Sequence, residues 1–388
     1  MTEVTDRTGA TGVVVREIAS IEEAETLSDA WHDLALRALD SEPFLSPEWY
    51  LSWWRGFGEG RMMLLAAYRG DRLVGVAPLR IGEEEIAGRP SRVLRLWSNP
   101  YSNRANLVLD SEAAADAARA LVDAMYARSD AWDVARLEPV LREGEATRAV
   151  TDALAERGAR WGLRDMHASP YVQLPASMDA LMNGLSGSYR ESLRRKDRKA
   201  EGTGVVTHRS CGASPEDVEP AFEISRHTWQ HEAGTGITSK PSIERFYREV
   251  AARTARHGWL RMAYLLRDEL PVAYEYNLMF DGTLYGLKVA YHADHSDLSP
   301  GLVLKLRVLE EAIADGVDAY DFLGEAEPYK MHWTHRVRPL AELRVHRRGL
   351  APWAEHVARF RLRPFLVRRM PWVLEARRRW LDARGEAD

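Results

Sequence analysis

The segment Leu298–Leu302 could bind an anion through its backbone. Ser299 precedes Pro300 and Gly301, which is typical of a helix that starts with serine at the N-cap and proline at the first helical position. Apolar residues then recur at helical spacing until Gly316, the expected C-cap. Because the first turn of a helix presents unpaired N–H groups and the positive end of the helix dipole, this segment suits an anion such as a pyrophosphate.

A second segment, Ser188–Gly204, concentrates positive charge. Its six basic residues are Arg190, Arg194, Arg195, Lys196, Arg198 and Lys199. They fit the solvated face of a helix, and they fit equally a cationic wall for a phosphorylated or nucleotide-bearing partner. The sequence leaves both interpretations open.

The elements that must position these segments occur twice along the chain. Met62–Tyr68 and Leu73–Ile81 form one predicted hairpin, and Trp259–Leu266 and Pro271–Phe280 form another. The two turns align at an offset of 197 residues. In each half a hairpin precedes a strand–helix–strand unit, which in the second half ends in a short buried strand at Ala319–Leu323. This order predicts two similar α/β units in tandem.

Composition sets the class of protein. The 388 residues are 45% hydrophobic and 29% charged, which is ordinary for a globular protein and enough for two domains. No run approaches the roughly 20 apolar residues of a membrane span, and the first residues lack a signal-peptide pattern. We therefore expect a cytoplasmic protein. A single cysteine, Cys211, excludes an internal disulfide and a cysteine-based metal site.

The net charge of −5 conceals a basic C-terminal tail. From Arg336 onward the chain has 14 arginines and six acidic residues, a net charge of +8. Pro352, Pro364 and Pro371 divide the tail into short helical segments. Arginines interleaved with aromatic residues suit RNA, an anionic bilayer or a protein surface. Since the rest of the chain is acidic, we favour docking onto the same chain or onto a sister subunit of a homodimer.

Four sequence runs carry a resemblance to a known family. They are S-P-G-L-V-L, E-E-A-I-A-D-G and Y-D-F-L-G-E-A-E-P-Y-K-M-H-W, all after Leu298, and R-H-T-W-Q-H-E-A-G-T-G-I at Arg226–Ile237. The chain resembles the CelD/BcsL-like acyltransferases, a branch of the GNAT superfamily that is related in fold to the Fem-type peptidyl transferases. The resemblance covers Tyr189–Leu343 well and the first half diffusely.

The resemblance implies an α/β (α+β) fold of two tandem GNAT-like units. Each unit is a mixed, mostly antiparallel sheet flanked by helices, with residues 1–165 in the first, 166–348 in the second and 349–388 in a basic helical tail. In the first unit Asn99–Arg104 stands where the phosphate-binding turn is expected but lacks a glycine-rich opening. We therefore expect a complete cofactor site only in the second unit.

The implied reaction moves an acyl group from acyl-CoA to an amine of a small-molecule, sugar or amino-acid acceptor. It needs a base for the amine proton, donors for the oxyanion and an acid for the leaving thiolate. Glu275, Asp321 and His292 are candidate bases, and Tyr285, Tyr291 and Tyr329 are candidate acids. Lys330 matches a late lysine of the family and could stabilise oxyanion charge.

We assign these residues to three groups. Glu275, Asp321, Tyr329 and Lys330 are assigned to catalysis, the first, second and fourth as one constellation. Tyr291, Leu298, Ser299, Pro300, Gly301 and Leu302 are assigned to acyl-CoA. Trp229, Tyr285, Lys288 and Arg190 are assigned to the acceptor.

Two other functions are compatible with the same fold. A Fem-like transferase that uses aminoacyl-tRNA would share the fold and explain the basic segments, and a non-catalytic ligand-binding module would share the fold alone. No G-x-S-x-G sequence supports serine-hydrolase chemistry. Six histidines invite a metal interpretation, but their spacing implies no third ligand, so no metal is expected. They are His227, His231, His292, His295, His332 and His335.

Overall fold

The computed structural model describes residues 12–86, 88–202 and 206–347, together with the single positions 349 and 357. The strands of the first half are β1 (Val14–Ile18), β2 (Arg61–Arg69), β3 (Arg72–Ile86), β4 (Arg89–Leu96), β5 (Val108–Leu109), β6 (Val134–Leu141) and β7 (Arg160–Gln173). Its helices are α1 (Ile21–Glu25), α2 (Ser28–Leu36), α3 (Pro47–Phe57), α4 (Ala114–Ala127) and α5 (Glu145–Glu156).

The second half repeats this mixture of helices and strands. Its strands are β8 (Val206–Cys211), β9 (Leu260–Arg267), β10 (Leu270–Phe280), β11 (Thr283–Tyr291), β12 (Ala319–Asp321) and β13 (Val337–His346). Its helices are α6 (Met178–Gly184), α7 (Gly187–Gly202), α8 (Glu219–Arg226), α9 (Trp229–Glu232), α10 (Pro241–Ala255), α11 (Pro300–Ala314) and α12 (Pro328–Met331). Short 3-10 turns lie at Pro43–Leu45, Pro215–Val218 and Ala293–Leu298.

The two predicted hairpins are present, and they are equivalent. Arg69 pairs with Arg72 across the turn between β2 and β3, and Arg267 pairs with Leu270 across the turn between β9 and β10. Equivalent positions are therefore offset by 198 residues, so the predicted offset of 197 was wrong by one. The equivalent positions of the two hairpins are defined by strand pairing and not by the sequence match between Asp71 and Asp268. The fold is α/β with a similar order of elements in its two halves, as the sequence predicted.

A single sheet runs through both halves. Its order is β1-β2-β3-β4-β6-β13-β7-β12-β11-β10-β9-β8, with β5 paired to β3. The last strand in the described part of the chain, β13, lies between β6 and β7 and is antiparallel to both. The end of β7 pairs in turn with β12. Each half thus gives its last strand to the penultimate strand of the other half, and we call this arrangement the strand exchange. The expected domain boundary at residue 165 lies inside β7.

The two faces of the second half's sheet are covered differently. Helices α6, α7 and α11 cover one face, where Leu193, Leu304 and Leu309 are buried in a shared cluster. Helices α8 and α10 cover the other face, and this layer is continuous with the core of the first half. There Trp49 of α3 packs edge-on against Phe246 of α10, with ring centroids 5.0 Å apart.

In the described part of the chain, every helix is too short or too polar to cross a lipid bilayer. The predicted basic tail, residues 349–388, lies outside the described residues except for positions 349 and 357.

Candidate active site

The candidate active site begins where β11 and β12 part. These parallel strands pair only over Thr283–Tyr285 and Ala319–Asp321, whereas β11 continues along β10 to Tyr291. The register between β10 and β11 shifts at this point, since Tyr276 pairs with Lys288 but Asn277 pairs with Gly286. Leu287 is therefore an extra residue, a bulge of the kind that redirects a strand. Within the described residues β12 leaves the edge of β11 unpaired beyond Tyr285, and we call the region between this edge and the loop after β12 the cleft.

The N-terminus of α11 lies beside the outer end of β11. Pro300 and Gly301 form its first turn as predicted, and a Cβ added to Gly301 would lie 3.6 Å from the Tyr291 ring and 3.9 Å from Val289. Leu298 is buried beneath the turn. The residues assigned to acyl-CoA therefore meet at one place.

The predicted N-cap role of Ser299 needs correction. Ser299 occupies the N-cap position, and its carbonyl accepts hydrogen bonds from the N–H groups of Leu302 and Val303 at 3.0 and 3.2 Å. Its backbone is left-handed, with φ of 53°, and within the described residues its hydroxyl makes no capping hydrogen bond. Pro300 has no N–H, and the Ser299 carbonyl takes the N–H groups of Leu302 and Val303, so in the first turn of α11 the Gly301 N–H remains for a ligand.

The basic segment forms α7 and flanks this helix terminus. The Lys199 ammonium donates to the carbonyl of Asp297, 2.6 Å away, just before α11. Arg307 of α11 donates to the Asp197 carboxylate at 2.7 Å. Arg194, Arg195 and Arg198 stay exposed.

Arg190 lies apart from the acceptor residues to which it was assigned. Its guanidinium donates to the Met182 carbonyl at 3.4 Å and to Asn183 Oδ1 at 3.3 Å. These contacts hold the start of α7 against the end of α6.

Glu275 lies on the α11 face of the sheet, in a buried cluster with Lys305 and Tyr320. Lys305 Nζ donates to Glu275 Oε2 at 2.8 Å and to the Tyr320 hydroxyl, which lies 3.3 Å from the same carboxylate oxygen. Burial lowers the pKa of Lys305, against the opposing effect of Glu275, and raises that of Tyr320. Glu275 Oε1 is buried and has no hydrogen-bond partner among the described residues.

This cluster reaches the cleft through Gly286. A Cβ added there would lie 2.9 Å from Cζ of Tyr320, so the tyrosine ring packs directly on the backbone of β11 at the bulge. Lys305 and Tyr320 were not among the site residues predicted from the sequence. Lys305 could have been found, because it falls on the apolar face of α11 between Leu302 and Leu309, where an unpaired charge is costly.

Asp321 points to the opposite face of the sheet from Glu275. Its Oδ2 accepts hydrogen bonds from Arg104 at 2.8 Å and from Arg338 at 2.6 Å, and Ser169 donates to its Oδ1 at 3.5 Å. Arg104 also donates to Glu42 Oε1, 2.5 Å away. We call Glu42, Arg104, Ser169, Asp321 and Arg338 the interface charge cluster, since it joins the first half to β12.

Tyr285, which was assigned to the acceptor, borders the interface charge cluster. Phe44 packs edge-on against its ring, with centroids 5.5 Å apart. Burial and the nearby Glu42 carboxylate raise the pKa of Tyr285.

Asp321 and Lys330 meet at Leu323 rather than at Glu275. Asp321 Oδ1 accepts the N–H of Leu323 at 3.0 Å, and Lys330 Nζ donates to the Leu323 carbonyl at 2.9 Å. Leu323 has φ of 54°, a conformation that is strained for a bulky residue. The two charged side chains therefore hold the loop after β12 in shape. The structure does not bring Glu275, Asp321 and Lys330 into one constellation.

Tyr329 stands at the outer edge of this loop. It is 49% exposed, and its ring centroid lies 5.6 Å from Lys330 Nζ. Burial of its hydroxyl, with the neighbouring Glu327 carboxylate, raises the pKa of Tyr329. The phenol therefore stays protonated at neutral pH.

Lys288 lies on the α8 face of β11, near the segment Gly234–Gly236. Its ammonium donates to the Thr235 carbonyl at 3.2 Å. Burial, with a smaller contribution from the like charge of Lys330, lowers the pKa of Lys288 to about 8. Trp229 begins α9, and the adjacent Gln230 donates to the Val289 carbonyl at 3.2 Å. The structure thus places Lys288 and α9 on the same side of the cleft.

Comparison with known proteins agrees with this geometry. Residues 187–331 match the family described as acetyltransferase (GNAT) domain. That range holds the cleft, α7, α11 and the loop after β12. The match places a domain of the GNAT acyltransferase class in the second half of the chain. No curated protein matches the sequence significantly.

Solved structures resemble the chain over most of its length at low sequence identity. FemX is 12% identical, with a TM-score of 0.55 over 84% of this chain and 96% of that one. The C-terminal domain of a protein described as a lysylphosphatidylglycerol synthetase from Agrobacterium fabrum is 14% identical, with a TM-score of 0.53 over 87% and 96%. A Bacteroides thetaiotaomicron VPI-5482 protein of unknown function is 9% identical, with a TM-score of 0.51 over 89% of this chain and 100% of that one. At these identities the likeness shows the fold alone.

Proposed function

We propose that the protein transfers an acyl group from a CoA thioester to the amine of a small-molecule acceptor. The observation that carries the proposal is the edge of β11 that β12 leaves unpaired beyond Tyr285, because its outer end, Val289 and Tyr291, lies against Gly301 at the N-terminus of α11. The helix start supplies the Gly301 N–H and the positive end of the helix dipole for a pyrophosphate, and the edge of β11 beyond Tyr285, which β12 leaves unpaired, supplies backbone donors for a carbonyl oxygen. Exposed arginines of α7 provide further positive charge beside the same terminus.

In this proposal the acceptor approaches from the α8 face. Burial lowers the pKa of Lys288, which borders that side, to about 8. Tyr329 remains our candidate for protonating the leaving thiolate. Glu275 remains our candidate for the proton acceptor, because its Oε1 is buried without a partner among the described residues. Asp321 is fully engaged with two arginines, Ser169 and Leu323, so we now assign it and Lys330 to holding the cleft loop.

The first test concerns the binding of CoA. Gly301→Glu places a bulky, negative side chain against Tyr291, so CoA affinity measured by calorimetry should fall by about tenfold or more. Gly184→Glu is the matched control, because a Cβ there meets no atom within 4 Å. If both variants bind CoA like the wild type, the cofactor does not bind at α11.

The second test separates a catalytic Glu275 from a structural one. Glu275→Gln should lower kcat/KM by about tenfold to a thousandfold, or about 1.4–4 kcal/mol, with CoA affinity unchanged. Lys305→Met breaks the same ion pair but keeps the carboxylate, so it should retain more activity once folding is verified. Equal losses in the two variants would reduce Glu275 to a structural role.

A second candidate function is transfer from aminoacyl-tRNA, and the exposed arginines of α7 favour it. A tRNA would bind tightly at low salt and weaken steeply as salt rises, through counterion release. Replacing Arg194, Arg195 and Arg198 by glutamine should then abolish binding. Salt-sensitive tRNA binding that depends on α7, in a protein that ignores acyl-CoA, would replace the first proposal by this one.

A further inference from the structure

Three side chains from distant parts of the sequence converge at the surface between the two halves. His32 lies on α2, Glu48 lies on α3, and His257 follows α10. His32 Nδ1 is 2.9 Å and His257 Nε2 is 3.0 Å from Glu48 Oε1. The two imidazole rings stack with centroids 4.0 Å apart, and Trp259 packs parallel to His32 at 5.2 Å.

Both rings approach one oxygen of Glu48, Oε1, which can accept a hydrogen bond from each of them. These contacts leave the second oxygen of the carboxylate unused. Glu48 Oε2 is buried and has no partner among the described residues, and the whole residue is 7% exposed. Ligand atoms about 2.0–2.1 Å from one zinc ion lie roughly 3 Å apart. One potential ligand atom from each of the three residues lies within 4.8 Å of the other two.

The surroundings leave room for an ion and a fourth ligand. The three residues line a surface cavity of about 410 Å³, which Asp29, Asp33, Arg253 and Arg256 also border. The positive charge of Arg253 is offset by Glu25, 2.8 Å away, and by Glu249 at 3.5 Å. His257 is 36% exposed at its side chain, so an ion can enter from solvent.

We propose that His32, Glu48 and His257 bind one Zn²⁺ ion that joins the first half of the chain to the second. Two imidazoles and a carboxylate, without thiolates, form a set that zinc accepts, and water completes the coordination. Because two ligands come from the first half and one from the end of α10, the ion stabilises the contact between α2, α3 and α10. The site lies outside the cleft and does not depend on the proposed reaction.

Titration with ZnCl₂ tests the proposal. Tag-free full-length protein, treated with a chelator and dialysed, should bind one zinc ion in calorimetry and gain thermal stability on binding. His257→Ala, His32→Ala and Glu48→Gln should each lower the affinity by about tenfold or more and remove the thermal shift. Cobalt should give the visible absorption of a tetrahedral site in the wild type only.

The control is a second pair of stacked histidines. The rings of His227 and His292 have centroids 5.0 Å apart, and their double replacement by alanine should leave zinc binding intact. His257 is partly exposed, so His257→Ala should fold even if His32→Ala does not. The proposal is overturned if the wild type binds zinc no better than His257→Ala, or if the control pair accounts for the binding.

Discussion

Arg104 carries a positive charge into the interior, where Glu42, Asp321 and Ser169 surround it. Arg104 is 2% exposed and Asp321 is fully buried. Burial raises the pKa of Glu42 to about 7, against the opposing effect of Arg104. The folded protein therefore binds a proton at Glu42 more tightly than the unfolded chain does, and ionising Glu42 costs stability.

The sign of this pH effect follows from linkage. Between pH 4.5 and about 7 the folded state holds more protons than the unfolded state, so the contribution of Glu42 to stability falls as pH rises. The loss is roughly 3 kcal/mol at most, from about 1.4 kcal/mol per pKa unit. Urea unfolding at pH 5 and pH 8 should show this loss in the wild type. In Glu42→Gln the loss should be absent, and an equal pH dependence of both proteins would contradict it.

Whether a contact can be predicted from the sequence depends on how far apart its residues lie along the chain. The Ser299–Gly301 turn could be predicted because its residues are neighbours and obey helix-start rules. Arg104 and Asp321 are 217 positions apart in the sequence, so no local sequence pattern predicts their contact. Glu275 and Asp321 were grouped from residue type and, for Asp321, from the family resemblance. The bulge at Leu287 shifts the register of β11 between their pairing positions, so the two side chains lie on opposite faces of the sheet.

Among the elements, β13 is held by charge as well as by its backbone. Glu342 of β13 is fully buried and accepts hydrogen bonds from Arg164 of β7 at 2.7 Å and from Arg344 of its own strand at 2.5 Å. Arg136 of β6 lies 3.6 Å away. Burial raises the pKa of Glu342, but the arginines outweigh it and the net shift is downward.

Removing the Glu342 charge should loosen the strand exchange. Glu342→Gln leaves the arginines around it without their anion, so we expect a loss of about 3–5 kcal/mol in the free energy of unfolding. Glu143→Gln, in an exposed loop, should change stability by less than about 0.5 kcal/mol. Urea denaturation of both variants measures the difference, and equal stabilities would show that β13 is held by backbone pairing alone.

The hairpins and α11 were predictable elements, whereas the strand exchange was not. Turn residues and alternating apolar positions locate β2–β3 and β9–β10 from short sequence windows. The partners of β13 are set by the closure of the whole sheet, and β6 and β7 offer the same alternating pattern as any other strand. Repeat order predicted two units, but it carried no information about which unit receives each last strand.

In the molecule as a whole, the strand exchange should make the two halves one folding unit. A protease site inserted between Pro175 and Ala176, after β7, would leave every strand of the sheet intact. The cleaved halves should co-elute in gel filtration under native conditions. They should also unfold in a single transition that is the same by circular dichroism and by tryptophan fluorescence.

Two outcomes would contradict this expectation. The halves would elute separately if each were a self-sufficient domain, and two separate transitions would show that the exchange adds little coupling. An inserted linker without the protease site controls for the insertion itself.

The position of β13 in the sequence also determines when β6 can acquire this partner during synthesis. Strand β6 ends at Leu141, but its neighbour β13 begins only at Val337. At synthesis rates of about 5–20 residues per second, the ribosome needs roughly 10–40 s to reach it. During that interval one edge of β6 has no partner strand. Strand β6 contains Arg136, Glu138 and Pro139. Charged residues and proline disfavour pairing of an exposed strand edge with a strand of another chain. The side chains of β6 thus protect its unpaired edge until β13 has been synthesised.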